Sequence, residues 1–211
     1  MNKVELLDDC NNSLGEGITY SSINNNLYWL DIGNISKLYK LELSSNKKVV
    51  FELPEIVTAT SIKSKDELIV ATNNGLKLFN TSNKNFETIV SIENQQLLTR
   101  SNDGGSDAYG RFWFGTMQNN FDQDGNGIPI KDNIGKLYKV KKKKKVSIIE
   151  EGLGIPNTFV WSPDNNNFYF SDTLKGTILS YNFELESGEL SNKKELANFN
   201  RGHPDGSTID T

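Results

Sequence analysis

Glu16 and Asn157 occupy one phase of an internal repeat, the first sign of chemistry in this chain. The segment EGITYSSINNNLYWLD over 16–31 returns as NTFVWSPDNNNFYFSD over 157–172, at a constant offset of 141. Tyr20 falls on Trp161, the asparagine triplets coincide, Tyr28 falls on Tyr169, and Asp31 falls on Asp172. In a fold built from repeats, symmetry places equivalent positions around a common axis, so residues remote in sequence face one another. Carrying the phase along the chain gives Val57 in a second unit and Ser101 or Asn102 in a third. Asn157 heads the fourth unit, and Asp205, within HPDGSTID, heads a fifth that is cut off. Carboxylate and carboxamide oxygens without thiolate or imidazole suit a hard cation such as Ca²⁺, Mg²⁺ or Mn²⁺. Asx residues beside strands commonly form turns. A turn role does not require agreement of phase, however, and carboxylates converging without a cation would repel one another.

The elements that must position these residues are short strands. Alternating or apolar runs separated by Asn, Gly, Ser, Asp and Lys clusters predict strands at 27–32, 37–43, 48–53, 67–72, 76–79 and 86–92. Further strands are predicted at 111–117, 136–140, 146–150, 168–172 and 177–183. No segment sustains an apolar stripe of helical period over three turns, so the class is all-β. The strands fall into groups of four, whose second strands begin at Leu27, Leu68, Phe112 and Phe168, spaced by 41, 44 and 56 residues. Periods of roughly 40–50 residues belong to β-propellers. The longest interval must hold an insertion between Met117 and Lys136. The innermost strands of a propeller line its channel, so the phased residues should project toward one end of it.

Several other signals are weaker. The loop DQDGNGIPIKDN over 122–133 imitates the start of an EF-hand, but its twelfth position is Asn133 instead of Glu and no flanking helix is evident. An access loop near the channel mouth is the expectation. The run Lys141 to Lys145 reads as a solvated hairpin between third and fourth strands. His203 is the only histidine, which excludes an H-E-x-x-H zinc site and disfavours a Ser-His-Asp triad; a surface loop is its default place. Trp29, Trp113 and Trp161 read as core. The net charge of −4 argues against nucleic-acid binding. No apolar run is long enough to span a bilayer, so no membrane partner is expected. One cysteine, Cys10, permits no intrachain disulfide, and the first ten residues carry acidic side chains where a signal peptide has its apolar core; a cytoplasmic setting is the expectation.

Four ordered segments carry a resemblance: LGEGITYSSINNNLYWLDI at 14–32, RSNDGGSDAYGRFWFGTM at 100–117, GIPNTFVWSPDNNNFYFSDT at 154–173 and PDGSTID at 204–210. By these residues the chain resembles the regucalcin/gluconolactonase family, which includes luciferin-regenerating enzyme. The resemblance implies a six-bladed β-propeller with one divalent cation (Ca²⁺, Zn²⁺, Mn²⁺, Mg²⁺ or Fe²⁺) in its axial channel, hydrolysing sugar lactones. It implies Glu16, Asn157 and Asp205 as metal ligands, with Asp205 also the catalytic base. Attack by metal-bound hydroxide is the alternative to that base. It implies Arg100 and Asn102 as holders of substrate hydroxyls, with Asn119 or Asn120 after the G-T-M segment, Asn120 being the candidate. Arg100 beside the ring favours an enzyme over a non-catalytic cation-binding propeller, and the polar rim favours a hydroxylated substrate over aryl esters or organophosphates.

At about 40–50 residues per blade, 211 residues hold about four blades and the start of a fifth. On the six-bladed expectation, residues 1–211 form a single propeller domain lacking most of blades five and six. The chain would then be a fragment, an inactive truncated form, or a piece completed by a missing C-terminal portion or another chain.

Overall fold

A computed structural model describes residues 4–94, 98–141 and 144–210. Its strands form four sheets of four, each an antiparallel meander in chain order. The first sheet comprises β1 (Gly15–Ser21), β2 (Asn26–Asp31), β3 (Lys37–Glu42) and β4 (Lys47–Glu52). The second comprises β5 (Val57–Ile62), β6 (Glu67–Thr72), β7 (Gly75–Asn80) and β8 (Phe86–Ser91). The third comprises β9 (Thr99–Ser106), β10 (Phe112–Gln118), β11 (Gly135–Lys141) and β12 (Lys145–Leu153). The fourth comprises β13 (Pro156–Trp161), β14 (Asn167–Asp172), β15 (Thr177–Glu184) and β16 (Glu189–Asn198).

Three apolar layers hold these sheets face to face. Tyr28, Leu30 and Leu38 of the first sheet pack with Leu68, Val70 and Phe79 of the second. Ala71 and Leu76 of the second meet Phe112, Phe114 and Tyr138 of the third. Trp113 and Leu137 of the third meet Phe168, Phe170 and Phe183 of the fourth. The pattern of each second strand records its neighbours. β2 alternates buried and half-buried residues because only one of its faces is covered. In β10, Phe112 and Phe114 face one sheet and Trp113 the other, so the strand is buried on both sides.

The first strands follow one another, β1 against β5, β5 against β9 and β9 against β13. Each carries a bulge: between Glu16 and Thr19, Val57 and Ala59, Ser101 and Gly104, and Asn157 and Val160. A bulge bends its strand and re-aims a side chain, so this repeated irregularity shapes the inner surface. At Gly115 an added Cβ would lie 2.1 Å from Pro156 Cβ, so only glycine lets β10 and β13 approach this closely.

The second, third and fourth strands lie close to their expected bounds except β16, which has no predicted counterpart, and the insertion occupies 119–134 between β10 and β11. Within it, Asp122 accepts backbone N–H groups from Asp124 and Asn126 on one oxygen and the Asn126 amide on the other, closing the loop on itself. The lysine run joins β11 to β12, with Lys141 paired to Lys145; Lys142 and Lys143 lie outside the described residues. Trp113 is core and Trp161 packs half-buried on it. Trp29 differs from expectation: it lies on the uncovered face of β2, stacks on Tyr39 and lines a cavity. No described helix is long and apolar enough to cross a membrane.

Candidate functional site

Strand register fixes the phase that sequence spacing left open. Gly15 pairs with Asp31, Val57 with Thr72, Ser101 with Thr116, and Pro156 with Asp172. The next residue in each inner strand therefore holds the equivalent position: Glu16, Thr58, Asn102 and Asn157. This corrects Val57, which sits one step too early because the β5–β6 hairpin is one residue shorter than the β1–β2 hairpin (Ile62 pairs with Leu68, Tyr20 with Leu27), and it selects Asn102 over Ser101. Thr58 is buried and donates its hydroxyl to Ser101 Oγ at 2.7 Å.

The repeated aspartates explain how two ring positions are held. Asp31 Oδ1 accepts the N–H groups of Ser13 and Leu14, both at 2.9 Å, where the chain enters β1. Asp172 accepts those of Gly154 at 3.0 Å and Ile155 at 3.1 Å, where it enters β13. Each carboxylate thus ties down backbone donors just ahead of the strand that presents Glu16 or Asn157.

A hydrogen-bonded chain joins the polar candidates. Arg100 is only 3% exposed. Its Nε donates to Asn120 Oδ1 at 2.8 Å, and one terminal nitrogen donates to Ser101 O at 2.7 Å and Asn102 Oδ1 at 3.4 Å. Its guanidinium also lies over the Phe121 ring, 5.3 Å from the centroid. Asn102 Nδ2 donates to Asn157 Oδ1 at 3.2 Å and Pro156 O at 3.0 Å. The structure thus brings Arg100, Asn102, Asn120 and Asn157 together. Asn119 instead uses its side-chain oxygen to accept the Phe121 N–H.

Charges gather at the same end. Partial burial raises the Glu16 pKa, the charge of Asp205 raises it further, and Arg100 opposes. Burial lowers Arg100 to about 10, against the favourable charge of Glu16. Asp103 belongs to this group although sequence reasoning passed over it. Burial pushes its carboxyl up to about 7; hydrogen bonds from Gly104 and Thr158 N–H groups oppose this, while the charges of Glu16 and Asp205 add to it. The signal for Asp103 was its place directly after Asn102 in a strand whose bulge turns successive residues inward. Glu16 and Asp103 line a cavity of about 850 Å³, together with Trp29, Thr60, Phe159 and Ser207.

Asp205 lies on an exposed segment that forms no strand, unlike the four other ring positions. Two threonine hydroxyls bind that segment to the fourth sheet, through the carbonyls of Pro204 and Asp205. His203 is exposed, with Nδ1 3.2 Å from Thr173 O. Among the described residues no three His, Cys, Asp or Glu side chains meet in metal-holding geometry. The candidate donors are instead two carboxylates, Glu16 and Asp205, with the carboxamides of Asn157 and Asn102. An all-oxygen set whose carboxylates sense one another's charge fits a hard divalent cation, which would relieve the repulsion that raises Glu16.

Residues 14–211 match the family model described as SMP-30/Gluconolactonase/LRE-like region. A putative sugar lactone lactonase, YvrE, of Bacillus subtilis is 31% identical, the match covering 93% of this chain and 65% of the relative. The L-arabinolactonase of Azospirillum brasilense is 30% identical, covering 97% and 66%. Among solved structures, the calcium-binding protein regucalcin from Agrobacterium tumefaciens superposes with a TM-score of 0.85 at 27% identity, covering 95% of this chain and 65% of that one. This likeness identifies the four sheets as blades of a regucalcin-like propeller. The chain spans about 65% of the length of the first of these relatives.

Proposed function

Because the chain belongs to the SMP-30/gluconolactonase/LRE-like family, we propose that it serves divalent-cation-dependent hydrolysis of sugar lactones, opening aldonolactones to hydroxy acids. The observation that carries this is the register of Glu16, Asn102 and Asn157 at one ring position, with the charge of Asp205 reaching Glu16. The names of the lactonase relatives supply the substrate class. Glu16, Asn157 and Asp205 would hold the cation, and their oxygen donors favour Ca²⁺, Mg²⁺ or Mn²⁺ over Zn²⁺ or Fe²⁺. When bound, such a cation polarises an ester carbonyl as a Lewis acid.

The chain's own residues supply the rest. The Asp205 carboxylate takes a proton from water as the water oxygen bonds to the lactone carbonyl carbon. When the ring C–O bond breaks, that proton passes to the departing alkoxide oxygen, leaving a hydroxy acid. Arg100 is buried beneath the site, so we assign it the holding of Asn102 and Asn120, whose carboxamides meet substrate hydroxyls. The commitment of Arg100 to internal bonds also keeps a second possibility open, a propeller that binds a cation without hydrolysing anything. A cytoplasmic setting accords with the single cysteine, and we propose no nucleic-acid or membrane partner.

The test is hydrolysis of a small aldonolactone panel with and without Ca²⁺, Mn²⁺ and Zn²⁺, alongside calorimetric titration of each metal. Metal-stimulated turnover is expected, and Glu16→Gln should weaken metal binding by roughly 10-fold or more. Binding without turnover would leave the non-catalytic propeller; unchanged affinity in Glu16→Gln would remove the ring itself.

A further inference from the structure

Asn157 and Asp205 lie far apart in the chain; the Thr173 hydroxyl links the Asn157 side chain to Pro204, and the hydroxyl of Thr158, next to Asn157, holds Asp205 itself. Thr173 Oγ1 accepts a hydrogen bond from Asn157 Nδ2 at 2.7 Å and donates its own hydrogen to Pro204 O at 2.6 Å. Thr158 Oγ1 donates to Asp205 O at 2.7 Å, so its 2.8 Å partner Ser171 Oγ is the donor in that pair. A hydroxyl has one hydrogen to give, and here both are given to the segment that carries Asp205.

These bonds decide which way the Asn157 carboxamide points. With Nδ2 held by Thr173, Oδ1 faces Asn102 Nδ2 at 3.2 Å. Turning the amide over would oppose two NH₂ groups at Asn102. It would also force Thr173 to give its hydrogen to Asn157, leaving Pro204 O without that donor. Thr158 pays for its place with a left-handed backbone, φ +61°, which β-branched residues rarely adopt. Gly17, at the equivalent bulge position in β1, has φ +62° without that conflict.

We propose that Thr173 and Thr158 are positioning residues: Thr173 turns the Asn157 oxygen toward the ring, and both tether the Asp205 segment to the fourth sheet. This rests on the proposed cation-binding role of the ring. Calorimetric titration with Ca²⁺ and Mn²⁺ tests it in Thr173→Val, Thr173→Ser, Thr158→Gly and Glu16→Gln. Thr173→Val should lose about 10-fold or more in affinity, the range typical of outer-sphere partners, while Thr173→Ser keeps the hydroxyl and stays within about 3-fold of the parent. Thr158→Gly accepts the left-handed backbone and removes the side chain, hydroxyl and methyl together, so it should fold and still bind more weakly. It keeps the tether measurable if Thr173→Val fails to fold. Weakened binding in Glu16→Gln together with unchanged binding in Thr158→Gly and any folded Thr173→Val would overturn the positioning roles. Unchanged binding in Glu16→Gln would instead overturn the cation site beneath them.

Discussion

At the residue scale the site is a set of side chains whose orientations are settled by neighbours. Asn102 gives its oxygen to Arg100 and its NH₂ to Asn157, so one carboxamide links the buried cation to the ring. Asp103 faces the same charges from a buried position, held by the N–H groups of Gly104 and Thr158. Asparagine at 103 retains an oxygen for those donors while removing the negative charge. Asp103→Asn should therefore leave the melting temperature close to that of the parent and weaken Ca²⁺ affinity about 10-fold. Calorimetry beside a thermal melt checks both parts, and undiminished affinity would place Asp103 outside the site.

At the element scale, each inner strand depends on what holds its ends and on the sheet behind it. Arg111 ties the third sheet to the β15–β16 connection: Nε meets Asp107 Oδ2 at 2.5 Å, and the terminal nitrogens donate to Leu185 O and Glu186 O. Trp113 Nε1 shares Asp107 Oδ2, and Lys139 Nζ donates to Gly188 O at 2.6 Å from over the Trp113 ring. Burial first, then the charges of Lys141 and Arg111, push Lys139 down to about 8 from its ordinary 10.5. A lowered pKa means that the folded protein favours the neutral amine. Its contribution to stability is therefore present above 10.5 and lost as pH falls to about 8. Compared with Lys139→Gln, the parent should gain stability as pH rises through that window. Urea unfolding at both ends measures this, and parallel profiles would show that Lys139 carries no such shift.

At the scale of the whole molecule, three inter-sheet layers bury apolar faces while the first sheet keeps one face open. Ile18 is 73% exposed, and with Leu7, Leu27 and Trp29 it lines the large cavity beside the ring. On the fourth sheet, Leu196 is 55% exposed and Phe199 just beyond it 44%. Exposed apolar side chains on open sheet faces of this kind favour association. The 211-residue chain should bind a hydrophobic dye and show a light-scattering mass that rises with concentration. Ile18→Lys with Leu196→Lys should reduce both effects. A monodisperse monomer without dye uptake would show that these faces are too small or too interrupted to associate.

Much of this was legible in the chain. Strand alternation, the spacing of Leu27, Leu68, Phe112 and Phe168, and the 141-residue repeat led to four-stranded units and to the phase of Glu16 and Asn157, because period and polarity are local properties. β16 escaped notice: its residues are almost all polar and exposed, so no alternation marks it. Bulges escaped too, since a register shift depends on the partner strand, and so did the shorter β5–β6 hairpin, which moved the second ring position from Val57 to Thr58. The sequence by itself determined which residue types stand at the ring. Only the tertiary structure decided where Asn102 points, how deeply Arg100 and Asp103 are buried, and that Thr173 and Thr158 grip the segment bearing Asp205. Those outcomes depend on atoms from different sheets meeting within hydrogen-bond distance, and no spacing along one chain encodes that meeting directly.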